Sequence, residues 1–78
     1  MKTVVLKDIT KNTVELPTIF LRRKAVEQIT GLSKSSLYQQ IKLGEFPAPV
    51  PLTKTGMAVA WLNTEVNIWM QSRIQQRK

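Results

Sequence analysis

Apolar residues recur at helical spacing on both sides of Gly31, and this pattern predicts two short helices separated by a tight turn. The first helix should begin near Arg22 or Arg23 and present one apolar face to the core. That face consists of Leu21, Ala25, Val26 and Ile29. Gly31 should end the helix because glycine adopts the left-handed conformation at little steric cost, and Leu32 supplies the apolar contact that usually accompanies such an end.

A second helix should follow Ser33 and close at Gly44. The Ser33 side-chain oxygen can accept a hydrogen bond from the free backbone N–H of Ser35 or Ser36, which is the usual cap of a helix N-terminus. The apolar face of this helix consists of Leu37 and Ile41. Two helices joined by so short a turn are typical of a helix-turn-helix.

The other faces of the second helix carry long or polar side chains with hardly any acidic group among them. They are Lys34, Ser35, Tyr38, Gln39 and Lys42. Such side chains can bond DNA phosphates and base edges, so the segment favours DNA recognition. The alternative for this segment taken alone is a helical hairpin whose polar side is merely solvated.

The composition changes abruptly after the second helix. Pro47, Pro49 and Pro51 make the segment from Phe46 extended and restrict it to the edge of a sheet, because proline has no N–H to donate. A polar turn over residues 53–56, with Lys54 and Thr55 at its tip, leads into a second apolar strand over residues 57–61. A hairpin of this kind beside a helix-turn-helix is a wing.

The last element should be a helix that opens at Asn63 or Thr64, either of which can cap it, and runs to about Gln76. Its apolar face consists of Val66, Trp69, Met70 and Ile74. Trp69 lies on this stripe and Trp61 ends the wing, so we expect both rings in the core rather than stacked on nucleic-acid bases. The predicted fold class is small α+β, a winged helix-turn-helix with a two-stranded wing and a C-terminal helix.

The charge strengthens the case for a polyanionic partner. Twelve Lys and Arg against five Asp and Glu give a net charge of +7, and the pI is about 10.3. The cations best placed to meet phosphates are Arg22, Arg23, Lys24, Lys34, Lys42 and Lys54. An anionic membrane would also attract this charge, but no apolar run approaches the roughly 20 residues of a membrane span. Lys7 and Asp8 interrupt the first residues before a signal-peptide core can form, so we expect a cytoplasmic protein without a membrane partner.

The composition argues against catalysis. The chain has no cysteine and no histidine, which removes the usual zinc ligands and the usual general base. The carboxylates show no spacing typical of a paired acid/base site, and a chain of 78 residues buries too small a core for a walled cleft. We therefore expect neither an enzyme nor a cofactor.

Two stretches, TGLSKSSLYQQIKLGEFPAPVPL and AVAWLNTEVNIWMQSR, carry a resemblance to a known family. Together with their surroundings from Leu21 to Arg77 they resemble the AlpA-type phage and prophage regulators, a branch of the MerR-like winged helix-turn-helix proteins that also contains small excisionases. The combination of the TGLS turn, the tyrosine after Leu37, the GEFP junction and the W-x-x-x-E-V-x-x-W ending is specific. The resemblance covers about three quarters of the chain.

The resemblance implies roles for individual residues. Ser33 would cap the recognition helix, and the wing around Lys54 and Thr55 would reach the adjacent DNA backbone or the minor groove. The residues implied to face the major groove or its phosphates are Lys34, Ser35, Ser36, Tyr38, Gln39 and Lys42. The chain departs from the family at Met57 and Gln39, where members often carry arginine. A phosphate contact at Met57 is thus in doubt and falls instead to Lys54, while Gln39 favours adenine over guanine.

Residues 1–17 lie outside the resemblance. Residues 3–6 and 14–16 predict either two short strands around a polar turn over residues 10–13 or a flexible basic arm, and we expect a loosely attached extension. Pro17 marks the boundary with the DNA-binding domain of residues 18–78, and residues 18–20 are expected to add a short strand to the wing.

Two functions of different classes follow. The first is a sequence-specific regulator of a phage or integrative element that binds double-stranded DNA, as a transcriptional regulator, as an excisionase-like directionality factor that assists an integrase, or as both. Self-association on DNA is compatible with this function. The second is a protein-binding inhibitor module, for example of a signalling protein, in which the same basic surface grips an acidic partner.

Overall fold

The structure is a computed structural model that describes residues 3–7 and 13–77. It is a small α+β fold, as predicted, with the chain order β1 Thr3–Lys7, β2 Thr13–Pro17, β3 Phe20–Leu21, α1 Arg23–Thr30, α2 Lys34–Lys42, β4 Val50–Pro51, β5 Val59–Leu62 and α3 Asn63–Gln75. Strands β3, β5 and β4 form a three-stranded antiparallel sheet with β5 in the centre.

The first two strands pair with each other in antiparallel register, Thr3 opposite Pro17 and Lys7 opposite Thr13. Of the two structures expected for this segment, the strand pair is thus the one observed. Of the turn predicted over residues 10–13, residues 10–12 lie outside the described residues, and Thr13 is the first residue of β2. The loose attachment of residues 1–17 and the domain boundary after Pro17 stay predictions.

The helix-turn-helix has the two ends that the sequence predicts. Gly31 adopts the left-handed conformation at φ 79°, and its N–H donates to the carbonyl of Glu27 at 2.8 Å. At the start of α2 the Ser33 hydroxyl oxygen accepts a hydrogen bond from the Ser36 N–H at 3.1 Å. Because both ends are satisfied locally, the turn between the helices needs only the residues 31–33.

The C-terminus of α2 also closes on glycine. Gly44 has a φ of 76°, its N–H donates to the Ile41 carbonyl at 3.0 Å, and the Glu45 N–H donates to the Gln40 carbonyl at 2.8 Å. This pair of bonds satisfies carbonyls that a helix end leaves free. The chain therefore leaves α2 in a defined direction and brings Phe46 into the core, where it is 3% exposed.

The core lies between the three helices and the central strand. Its buried members are Val26, Leu37, Phe46, Ala60, Trp61 and Val66. Trp61 is fully buried, and its indole N–H donates to the Pro47 carbonyl at 2.9 Å. Trp69 packs edge-on against Phe46 with ring centroids 5.0 Å apart. As predicted, Trp61 belongs to the core, and Trp69 is partly buried against it.

The predicted wing corresponds to the β4–β5 hairpin, but its second strand begins later than expected. We predicted a strand from Met57, whereas pairing with β4 begins at Val59, opposite Pro51. Gly56 has a φ of 72°, and the Met57 N–H turns to the Thr55 hydroxyl at 3.4 Å instead of to a neighbouring strand. The third strand, expected over residues 18–20, is present one to two residues later as β3.

Leu21 packs against the core as predicted, but from β3 rather than from the helix: it pairs with Trp61, because Arg22 is still extended. Two other expectations about the helices are wrong in detail. Ile29 is 46% exposed and Ile74 is 52% exposed, the latter because α3 extends past the core and every residue from 71 to 77 is exposed.

The start of α3 is also held differently from the prediction. Neither Asn63 nor Thr64 caps it, and the N-cap residue is Leu62, without a side-chain bond. The Asn63 amide instead bridges to the chain before β3, with Oδ1 accepting from the Ile19 N–H at 2.8 Å and Nδ2 donating to the Pro17 carbonyl at 3.2 Å. The side chain therefore fixes the entry of β3 rather than the helix end.

Candidate nucleic-acid interface

A shallow depression of about 480 Å³ lies where the two helices of the helix-turn-helix meet the hairpin. We call it the basic depression. It is lined by Arg22, Arg23, Lys24, Lys34, Tyr38, Met57 and Val59. Four of these seven residues are cations and none is acidic, so the depression suits an anion.

Helix α1 contributes three of the cations from its first residues. Arg22 is the extended N-cap, and Arg23 and Lys24 follow in the first turn, which contains no acidic residue. Cations at a helix N-terminus are disfavoured by the helix dipole, by about 0.3–1 kcal/mol each. Their placement costs stability and is therefore more readily explained by an anionic ligand than by folding.

One of these cations has an internal partner. The Arg23 Nε lies 3.4 Å from the Glu27 Oε2, and this contact is electrostatic, since that oxygen accepts no hydrogen bond. The Arg23 side chain remains 31% exposed. The pair is partly buried but makes no hydrogen bond, and the exposed part of the guanidinium leaves an external phosphate able to compete for it.

Helix α2 contributes Lys34 and Tyr38, one turn apart. The Tyr38 ring meets the buried Trp61 ring edge-on, with centroids 6.4 Å apart and an angle of 63° between planes. Tyr38 is nevertheless 41% exposed. The core therefore fixes the orientation of this ring while leaving part of it at the surface.

The remaining candidates on α2 lie outside the basic depression. At about 100° per residue, five of the six α2 side chains with predicted contacts span an arc of about 140° that does not include the buried Leu37. Their order around the arc is Lys34, Tyr38, Lys42, Ser35 and Gln39, and all are exposed. This arc, which we call the α2 face, places Gln39 farthest from the depression.

Two serines at the start of α2 are occupied by each other. Ser33 caps the helix, and its hydroxyl lies 3.1 Å from the Ser36 hydroxyl. Ser36 falls outside the α2 face at this spacing. The cap predicted for Ser33 is confirmed, whereas the DNA contacts predicted for α2 stay predictions.

The hairpin tip carries the other two candidates. Lys54 and Thr55 are exposed and do not line the basic depression. The Thr55 hydroxyl lies 3.0 Å from the Thr53 hydroxyl and accepts a bond from the Met57 N–H at 3.4 Å, so its role in the structure is to order the turn.

Two lining residues, Met57 and Val59, were not among the predicted contacts. The sequence left a contact at Met57 in doubt and placed both residues in the second strand of the wing. The signal that could have placed Met57 in the depression is its position directly after Gly56, since a positive-φ glycine in a polar turn delays strand pairing.

Two of the acidic residues lie away from the basic depression. Glu45 and Glu65 line a separate depression of about 410 Å³ between the end of α2 and α3, together with Phe46, Ile68 and Trp69. The two depressions share no residue. Glu27, which pairs with Arg23, is a carboxylate beside the basic depression, but the four lining cations outnumber it, so the net charge there still attracts a polyanion. In residues 3–7 and 13–77 there is no helix with the length and apolar character needed to cross a membrane.

Comparison with known proteins supplies two matches. The family model described as "Prophage CP4-57 regulatory protein (AlpA)" matches residues 19–74, which is more than half of the chain. A relative from Enterobacteria phage P4, described as "Uncharacterized protein ORF88", is 49% identical over 59 residues. The aligned segment covers 76% of this chain and 65% of the relative, so the chain matches somewhat less than two thirds of that protein's length.

Proposed function

Because the chain belongs to the AlpA family of prophage regulatory proteins, we propose that it regulates a phage or integrative element by binding specific sequences in double-stranded DNA. The α2 face enters the major groove, and the basic depression holds the phosphates beside it. The observation that carries this proposal is the juxtaposition of four cations from two helices with an exposed polar helix face.

The two surfaces have different tasks in this proposal. Arg22, Arg23, Lys24 and Lys34 neutralise phosphates and set the register of the protein on the duplex, without reading sequence. Gln39, at the far edge of the α2 face, reads a base edge, since glutamine can bond adenine N6 and N7 together. Lys42 and Lys54 add backbone contacts on either side.

The proposal is tested by titrating a labelled duplex of random sequence at low salt and then footprinting the DNA that flanks the gene. We expect measurable binding to random duplex and protection of discrete sites in the flanking DNA. Lys34→Ala is the test variant, and Arg73→Ala is its matched control, because both remove one exposed cation and only Lys34 lines the basic depression. Equal losses for the two variants would mean that net charge rather than the depression drives binding.

The recombination role is a finer proposal. A lone module covers one short site, with about 600–1,000 Å² of protein surface, and such modules specify DNA poorly. Several copies are therefore needed, and we expect two or more protected sites spaced by about 10 bp, with bending of the fragment as they fill. Permuted-fragment gel shifts measure the bend. One isolated and unbent site next to a promoter would favour a transcriptional regulator over an excisionase-like factor.

The protein-binding function makes the opposite prediction for the first titration. In that case the basic depression holds carboxylates of an acidic protein, and affinity for random duplex is not required. The absence of both random-duplex binding and any protected site would reject DNA regulation and favour this second function.

A further inference from the structure

Met57 is an apolar side chain displayed among cations. It is 87% exposed, more than the other exposed large apolar side chains of the described residues, among them Ile68 at 67% and Leu43 at 59%. It also lines the basic depression. The other aliphatic residue of that lining, Val59, is half-buried and packs against the core. Met57 is not among the residues that pack against the core.

The turn before Met57 is closed by hydrogen bonds. The Leu52 N–H donates to the Ala58 carbonyl at 2.7 Å, and the Gly56 N–H donates to the Thr53 carbonyl at 3.1 Å. The Met57 N–H itself donates to a threonine hydroxyl of the turn. These bonds define the path of the backbone on both sides of Met57, so the methionine is presented at a set position beside the four cations.

A methionine at this position cannot serve a phosphate, because a thioether offers neither charge nor a useful donor. The cations around it can. The basic depression lies between α2 and the hairpin. If α2 is in the major groove and the cations hold the phosphates beside it, the hairpin lies on the far side of those phosphates, toward the neighbouring minor groove. There an apolar side chain meets deoxyribose and base edges, and methionine is among the residues that wedge into base steps from the minor groove.

We propose that Met57 enters the minor groove next to the α2 site, packs against the sugars and opens one base step, which bends the DNA. This inference rests on the proposed function, which requires only that the protein binds DNA. The free energy gained by burying one methionine side chain is similar to the free energy lost by unstacking one base step. The step under the hairpin should therefore be a flexible pyrimidine–purine step, TA or CA, where opening costs least.

The test uses a protected site carried on a duplex of about three helical turns, with 2-aminopurine substituted in turn at each adenine of the flanking minor groove. Opening of a step raises 2-aminopurine fluorescence, and permuted fragments of the same site report the bend. The variants are Met57→Ala, which removes the wedge, Met57→Leu, which keeps an apolar wedge, and Met57→Arg, which replaces it with a phosphate ligand. Ile68→Ala is the matched control, because it removes an exposed apolar side chain outside the basic depression.

For the wild type and for Met57→Leu we expect raised fluorescence at one step and a kink of at least about 20°. Met57→Ala should lose the fluorescence signal and most of the bend, and bind the site about tenfold more weakly with an unchanged salt dependence, since no charge is removed. Met57→Arg should lose the fluorescence signal and steepen the salt dependence. Ile68→Ala should behave as the wild type.

Full bending and a full fluorescence signal in Met57→Ala would overturn the inference while leaving DNA binding intact. The same holds if the wild type binds its site without raising the fluorescence of any adenine. If the wild type binds no duplex at all, the proposed function fails and the wedge fails with it. Equal loss of bending in Met57→Ala and Ile68→Ala would also overturn the inference, because it would show a general effect of lost apolar surface.

Discussion

The salt dependence of DNA binding is the most direct measure of the proposed interface. The basic depression supplies four cations, and Lys42 and Lys54 bring the number that can meet phosphates to six. About 0.9 counterion is released per neutralised phosphate. Four to six contacts therefore predict a slope of about −4 to −5 when the logarithm of the binding constant is plotted against the logarithm of the salt concentration. Affinity should then fall by about 250-fold to 1,000-fold when the salt concentration rises from 50 to 200 mM.

Single substitutions show how much each residue contributes to this salt dependence. Lys34→Ala should flatten the slope by about one unit, because one phosphate contact is lost. Arg73→Ala should leave the slope unchanged, since Arg73 lies on the exposed end of α3 and does not line the basic depression. Glu27→Gln removes the ion pair that competes for Arg23, so binding should become tighter and the slope at least as steep.

Fluorescence anisotropy of a labelled duplex, measured at five or more salt concentrations, gives each slope. A slope near zero for the wild type would refute the reasoning that these cations form the interface. A normal wild-type slope that Lys34→Ala and Arg73→Ala flatten by the same amount would refute the placement of the interface at the basic depression.

Three further predictions concern the recognition of DNA bases and the stability of the fold. Gln39→Ala should cost specific binding about 1–3 kcal/mol and spare a scrambled site, while Lys42→Ala should weaken both sites equally, and parallel titrations of the two duplexes distinguish these outcomes. Ser33→Ala should lower the free energy of unfolding by about 1 kcal/mol through loss of the α2 cap, measured by urea denaturation against a wild-type reference. Trp61→Phe should lower it by about 2 kcal/mol, because the hydrogen bond to the Pro47 carbonyl and part of the packing are lost, and an unchanged melting temperature would contradict this role.

The sequence predicted best where local chemistry decides the structure. Gly31 and Ser33 end and begin helices through bonds to residues within four positions, so their roles were readable without any tertiary information. The three prolines placed β4 at the edge of its sheet for the same reason, since the missing N–H is a property of the residue itself.

It predicted less well where distant parts of the chain compete for the same residue. Asn63 is a good helix cap in isolation, yet its amide bonds to Pro17 and Ile19, which are more than 40 positions away in the chain. Ile74 continues the apolar period of α3, but periodicity alone cannot show that the core ends one turn earlier. The candidate site shows the same division. The four cations could be predicted from charge and motif, whereas the position of Met57 in the basic depression depends on how the turn closes.

The contacts of Trp61 have a consequence for the thermodynamics of association. Its ring touches Tyr38 on α2, its indole nitrogen bonds the segment after α2, and its backbone lies in the central strand of the hairpin sheet. Helix and hairpin are therefore joined through one buried side chain before any ligand arrives. Preorganisation of this kind leaves little conformational entropy to lose on binding. Calorimetry should accordingly show a small heat-capacity change, set by the surfaces that meet and by the DNA rather than by folding of the protein.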